Sequence, residues 1–277
     1  MDALAGLRKQ LGTVASLHSL VRALRLLSAV NLKMLAKVEL AQQACLEQMR
    51  SAMALLLQRG AELPALGSGQ LRLVLGSDHG LCGGFHQGLV AFCLEHPEPT
   101  EMGCVGLRLG QALEEKGLKA GRVLSAPSSE AGLGGLFKKL GLGLEARVDV
   151  VLWNQGRVEQ VALWPPCSQE MLELAGRRWS GRCQPLVWGE PEQLAAPLFE
   201  QWLEWRCQEF CLRALISENQ ARLSVMQAAE KNLDSLRDGL QGRSRQLHQN
   251  VVTEELLDVV SGFEILNSAI RELVPAN

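Results

Sequence analysis

Apolar residues recur at helical spacing along both ends of the chain. The first flank carries Leu4, Leu7, Leu11 and Val14, then Leu17, Leu20, Leu24, Leu27, Met34, Val38, Ala41 and Cys45. The spacing alternates three and four, apart from a register step near Val14–Leu17 and a polar Asn31 on the seam. The second flank repeats every seven residues through Leu223, Met226, Leu233, Leu240, Leu247 and Val251, with polar gaps at Glu230, Arg237 and Ser244. Such stripes predict coiled-coil helices over 1–60 and 195–274. Proline supports this: the first is Pro64, and none lies between Pro197 and Pro275. A helix of about 58 residues is roughly 85–90 Å long, far wider than the middle of the chain folded as a domain. A lone striped helix is unstable in water, so the flanks are expected to pair antiparallel, as a rod projecting from a globular foot.

The middle, 68–190, reads differently. Apolar runs at Leu71–Leu75, Gly103–Leu107, Val148–Trp153 and Val158–Trp164 read as strands, and Gly84–Glu95 and Ser129–Leu140 read as helices. Strands alternating with helices predict a Rossmann-like α/β domain with a mostly parallel sheet. Asn154-Gln155-Gly156-Arg157 has the look of a hairpin turn. Residues 167–190, with Trp179 and Trp188, give no clear pattern.

Composition narrows the classes. The 277 residues are 47% hydrophobic and 21% charged, with net charge −2 and no Tyr. That balance supplies no global field for nucleic acid, and the shortage of aromatics is unfavourable for base stacking. No uninterrupted apolar run approaches the ~20 residues that span a bilayer, and no signal-peptide core opens the chain. Eight scattered cysteines without a CxxC read as reduced thiols, and five histidines form no metal-ligand spacing. One local charge feature stands out. Between residues 1 and 37 the charged residues are Arg8, Lys9, Arg22, Arg25, Lys33 and Lys37, with Asp2 the only acid. This is either a solvated helix face or a surface for an acidic partner.

The stretch "VLGSDHGLCGGFHQGL" sets an apolar run before Gly76-Ser77-Asp78, then Gly80, Gly83 and Gly84, then a helical segment. Strand, glycine turn and helix start is the layout of many phosphate sites. However, Gly84 is followed by Phe85-His86, where a phosphate loop needs Lys and Ser/Thr, and GxGxxG is not met. The glycines therefore read as a tight turn that needs positive φ and close packing. No nucleophile–base set stands out, and Glu254, Glu255 and Asp258 read as a solvated acidic face.

Three blocks resemble the gamma subunit of F-type ATP synthases. Leu7-Arg-Lys-Gln-Leu11 through "LVRALRLLSA" is similar to IRRRI…ITKAMxMVAA, and "SDHGLCGGF" to SDRGLCGGF. "SENQARLSVMQAAEKN" is similar to SExxARMxAMxxATxN and continues without a gap to "VTEELLDVVSGFEIL", like ITxELxEIxxGAxAL, in which Glu255 matches an acid. The resemblance covers essentially the whole chain. It implies an antiparallel coiled coil around an α/β domain, with Ser77, Asp78, Gly80, Gly83 and Gly84 forming a structural turn. It implies a mechanical role as the central rotor shaft of an ion-translocating ATPase, with no catalytic, cofactor or metal site on this chain. The implied partners are the alpha and beta subunits, the epsilon subunit and the membrane c-ring, not nucleic acid. The implied place is the cytoplasmic face of a bacterial inner membrane.

Some positions depart from the family. His248 and Gln249 stand where the family has an Arg-Gln pair contacting a beta loop; Asn31 replaces a Lys, and Leu24 a Met. Imidazole is mostly neutral at pH 7 and lacks the guanidinium fork, so either that contact is weaker and strengthens as pH falls, or His248 only fills space in the coiled coil. These changes suggest a divergent, alternate bacterial ATPase, for which a sodium-linked form is one option. Two other classes stay open from residues alone: an α/β nucleotide-binding enzyme with helical extensions, and a coiled-coil adaptor. Saturable ATP binding would favour the first, and failure to co-purify with alpha- and beta-type subunits the second.

Overall fold

The computed structural model describes residues 2–65, 67–97, 101–129, 132–177, 179, 183 and 185–273.

 In chain order the elements are α1 (Asp2–Gln58), β1 (Gln70–Leu75), α2 (Phe85–Glu95), β2 (Glu101–Val105), α3 (Leu107–Glu115) and β3 (Arg122–Leu124), followed by α4 (Leu136–Leu140), β4 (Arg147–Asn154), β5 (Arg157–Trp164), α5 (Ser168–Gly176) and α6 (Pro191–Leu273). They fall into two compact units, one of residues 1–24 with 226–277, the other of 25–225.

The 25–225 unit is built on a five-stranded sheet of order β3-β2-β1-β4-β5. β1 pairs in parallel with β2 and β4, β2 in parallel with β3, and β5 joins β4 antiparallel. Successive strand side chains point to opposite faces, and both faces are covered. Leu73, Leu75, Val150 and Leu152 pack in one cluster with Phe199, Trp202, Leu203 and Phe210 of α6 and with Met53 and Leu56 of α1. Val74, Cys104 and Val151 pack in the other with Phe85 and Leu89 of α2 and Leu109 and Leu113 of α3. This is the three-layer α/β arrangement expected from strands that read as continuous apolar runs. The β4–β5 turn has positive φ at both Gln155 (47°) and Gly156 (89°), matching the hairpin expectation with a primed turn.

Several expectations shift. The strand expected over Gly103–Leu107 ends at Val105, because Gly106 takes φ 117° and Leu107 already opens α3. Of the helix expected over Ser129–Leu140, only Leu136–Leu140 forms, after a stretch containing Gly132, Gly134 and Gly135; residues 130–131 lie outside the described residues. Within the stretch that gave no pattern, α5 forms over Ser168–Gly176; residues 178, 180–182 and 184 lie outside the described residues.

The other unit pairs the start of α1 with the end of α6. His18 Nε2 lies 3.3 Å from Asp234 Oδ1, and Gly6, Leu7 and Gln10 share a cleft with Arg243, Gln246, Leu247 and Asn250. A lower number on one helix meets a higher number on the other, so the pair is antiparallel. On α6 the seven-residue rhythm is the buried face: Met226 and Leu240 are buried, and Leu223, Leu233, Leu247 and Val251 half-buried. The polar gap positions Glu230, Arg237 and Ser244 are half-buried on the same stripe.

The seam of α1 differs from the sequence reading. It keeps its spacing without a register step, through Leu7, Val14, Val21, Ser28, Leu35, Gln42, Met49 and Leu56, all buried or half-buried. Leu17, Leu20, Leu27 and Met34 lie outside it, 46–58% exposed. Ser28 and Gln42 occupy seam positions that a search for apolar residues passes over. The outward apolar stripe gives α1 a window long and apolar enough to cross a bilayer by length and composition alone.

Candidate functional site

The glycine block joins β1 to α2, and each of its polar residues is used inside the fold. Asp78 Oδ1 accepts from the backbone N–H of Leu107 at 2.7 Å and of Ala126 at 2.9 Å, while Oδ2 accepts from the Ser125 hydroxyl. Leu107 is the first residue of α3, so Asp78 caps that helix with a carboxylate, on the end whose dipole favours negative charge. Burial alone would raise the Asp78 pKa. The donors on Ala126, Ser125 and Leu107 together outweigh it and hold the carboxyl below its ordinary value. A bound phosphate at that helix start would have to displace the chain's own acid.

Ser77 is fully buried, and its hydroxyl donates to the His79 carbonyl at 2.8 Å. His86 Nε2 lies 3.1 Å from the same hydroxyl, and its Nδ1 lies 3.5 Å from Cys82 Sγ. A serine beside a histidine invites a nucleophile reading, but the proton count opposes it. Ser77 has one proton, which the His79 carbonyl and the Glu218 carboxylate draw away from His86. His86 must then donate from Nε2, which leaves Nδ1 to accept from the Cys82 thiol. In this arrangement the imidazole cannot act as base toward Ser77. Burial lowers the His86 pKa, and burial raises that of Cys82, so both stay uncharged.

The loop is fastened to α6. Glu218 pairs with Arg222 one turn on, and the Arg222 guanidinium reaches the Gly80 carbonyl at 3.5 Å. Burial raises the Glu218 pKa, while Arg222 and Ser77 act in the opposite sense. Gly83 has φ 61°, and a Cβ there would stand 3.0 Å from the Val225 side chain, so glycine is required for backbone and space alike. The carboxyl ends of β1 and β2 close against α6: Leu75, Gly76 and Val105 line a space of only about 10 Å³ with Cys211, Ala214, Leu215 and Glu218. Open α/β sheets take nucleotides at the carboxyl ends of their strands. Here that edge is occupied by the protein's own helix.

Gly80 and Gly83 of the turn are thus held against α6, while Asp78 is held at the start of α3. The basic residues Arg8, Lys9 and Arg22 are exposed in the helix-pair unit, Arg25 is half-buried, and Lys33 and Lys37 are exposed in the other unit. His248, Gln249 and Glu255 are exposed on α6. Sequence reading missed Glu218, Arg222, Ser125 and His86 as partners of the glycine block. The Glu–Arg spacing of four in "SENQAR" was the available signal for the first two. All eight cysteines are free thiols; burial pushes Cys104 up to about 12. Among the described residues no group of metal-ligating side chains converges.

Comparison with known proteins fits this geometry. A family model described as ATP synthase matches residues 154–266. The ATP synthase gamma chain of Clostridium perfringens is 24% identical over 210 residues, covering 70% of this chain and 72% of that one. The gamma chain of Methylobacterium nodulans is 23% identical over 295 residues, covering 96% and 100%. Among solved structures, a chain of the Euglena gracilis mitochondrial ATP synthase shares the fold with a TM-score of 0.66 at 12% identity, covering 100% of this chain and 98% of that one. A chain of the rotor of the same enzyme gives 0.61, covering 91% and 99%. With the motifs in order along its length and the same fold, the chain is similar to ATP synthase gamma chains.

Proposed function

We infer that this chain is the central shaft of a rotary F-type ATP synthase, coupling ion flow through a membrane rotor to ATP synthesis or hydrolysis on beta subunits. The observation that carries the reading is the pair of long helices: 57 residues in α1 and 83 in α6, roughly 85 Å and 125 Å. An enzyme has no need of such lengths, whereas a shaft must carry torque along continuous hydrogen-bonded elements. The closed strand edge and the Asp78 cap support a second part of the reading, that the chain itself turns over no nucleotide. On this reading the alpha and beta subunits surround the helix pair, and the sheet unit meets the epsilon subunit and the c-ring at the cytoplasmic face of a bacterial inner membrane. Identities of 23–24% to gamma chains fit a divergent branch.

The test is reconstitution with the alpha- and beta-type subunits of the same operon. A probe on exposed Lys139 should rotate when ATP is added, while the purified chain alone should release no phosphate. Failure to assemble with those subunits would sink the shaft reading. Turnover by the isolated chain, abolished at Gly83 or Gly84, would sink the non-catalytic one.

A further inference from the structure

We propose that the groove between α2 and α3 binds an amphipathic organic anion, a single acyl chain with a carboxylate head, and that Arg108 receives the head. The groove holds about 580 Å³, within the range of small-molecule sites, and lies wholly in the 25–225 unit. α2 lines it with Gln87, Val90, Ala91 and Leu94. The facing row on α3 is Arg108, Gln111, Ala112 and Glu115. Both rows follow the three-four spacing of one helix face, so two continuous ridges flank a single furrow. Ala91 and Ala112 hold the same place in the two rows. Each side chain stops at Cβ, so the ridges do not interlock there and the furrow stays open.

Polarity is sorted along the furrow. α2 and α3 are the crossovers between parallel strands, β1 to β2 and β2 to β3, so they run the same way and their starts share one end. Arg108 and Gln87 stand at that end, both exposed, and no acid lines it. The Arg108 guanidinium makes one hydrogen bond, to Gln111 at 3.4 Å, and keeps donors for a carboxylate. Its charge is felt next door: burial is the largest cause lowering the His86 pKa, and Arg108 and Arg222 add to it. The middle of the furrow is apolar, with Val90 as floor. At the far end Leu94 is 46% exposed, and Glu115 and Lys116 offset each other. An anion is therefore drawn to the Arg108 end, and a hydrocarbon tail finds its cover along the rest. From Gln87 to Leu94 the furrow runs about 10 Å, the reach of an extended tail of roughly eight carbons. No aromatic side chain lines it to stack a base, which sets a nucleotide aside.

The experiment is calorimetric titration of the full chain with sodium decanoate below its micelle concentration. It reads the chain alone, so its outcome is independent of assembly into a rotor. Binding should saturate at about one equivalent. Arg108→Gln should weaken it about tenfold by removing the charged partner of the head. Ala91→Phe, at an exposed helix position, should weaken it at least as much by filling the furrow, with circular dichroism confirming the fold. Lys139→Gln, the same charge change on an exposed residue outside the groove, should leave binding unchanged. Decyltrimethylammonium should bind at least tenfold more weakly, and acetate, a head without a tail, should not saturate. No saturable binding of decanoate would overturn the proposal. So would uptake of several equivalents that neither Arg108→Gln nor Ala91→Phe changes, which is the behaviour of detergent on exposed apolar stripes. Equal binding of the cation would overturn the carboxylate head. Association with phosphatidylglycerol vesicles that depends on Arg108 as strongly as decanoate binding would overturn the free ligand in favour of a membrane surface.

Discussion

The two units solve the problem of stability differently. The sheet unit buries Trp164, Trp202, Phe199, Phe210 and Phe85 almost completely, and its layers enclose one another. The helix-pair unit buries Val14, Met226 and Leu240, and leaves Leu17, Leu20, Val252, Leu256 and Phe263 from 42 to 73% exposed. A helix pair has only one seam to hide residues in, so it cannot bury a second stripe by itself. One unit encloses its core between layers; the other leaves much of its apolar area exposed, which is the surface a partner would cover.

Substitutions in each unit sharpen that contrast. Trp202→Ala should cost about 3–5 kcal/mol in chemical denaturation, because the indole is fully buried against Trp164 and the Arg206 guanidinium. A loss below 1 kcal/mol would mean that the sheet unit has no rigid core. Leu233→Pro should cost about 3 kcal/mol or more locally by breaking α6 within the helix pair, seen as lost helical circular dichroism and lost coupling in the assembled enzyme. Full ion-driven synthesis by that variant would contradict the shaft reading.

Smaller effects come from titration and from the surface. Asp78 is held below its unfolded value of about 3.9. Its carboxylate therefore stabilises the sheet unit at neutral pH, and that contribution is lost as the pH falls below about 4. Asp78→Asn should flatten the acid limb of stability measured by urea unfolding between pH 3 and 7; an unchanged limb would remove Asp78 from the account. His248→Ala should change the ATPase rate of the assembled enzyme by less than about twofold, since one exposed side chain is one contact among many on the shaft. A larger change would make His248 a principal contact.

Legibility followed the physics of each pattern. The α6 rhythm was readable because its apolar residues and its buried residues coincide. In α1 they separate: Ser28 is 2% exposed and Gln42 6%, while Leu27 is 57% exposed. A seam defined by apolar residues drifts onto the wrong stripe there, and strict seven-residue spacing from Leu7 would have held it. Buried strands β1 and β4 were readable as apolar runs, but three-residue β3 is too short to show a period. The glycine block was readable as a turn. Its clamp was not, because Ser77 and Glu218 lie far apart in sequence and no local pattern links them.

Asn31 donates from Nδ2 to Asn219 Oδ1 at 3.4 Å, an amide pair between α1 and α6. A seven-residue repeat is nearly indifferent to sliding by one period, about 10 Å along the axis. The amide pair is not. Sliding by one period would set Asn31 against Leu212, which is 1% exposed, and strand a polar group in an oily layer at a cost of about 1–3 kcal/mol. The pair therefore acts as an index mark, picking one notch out of the repeats along two greased rods.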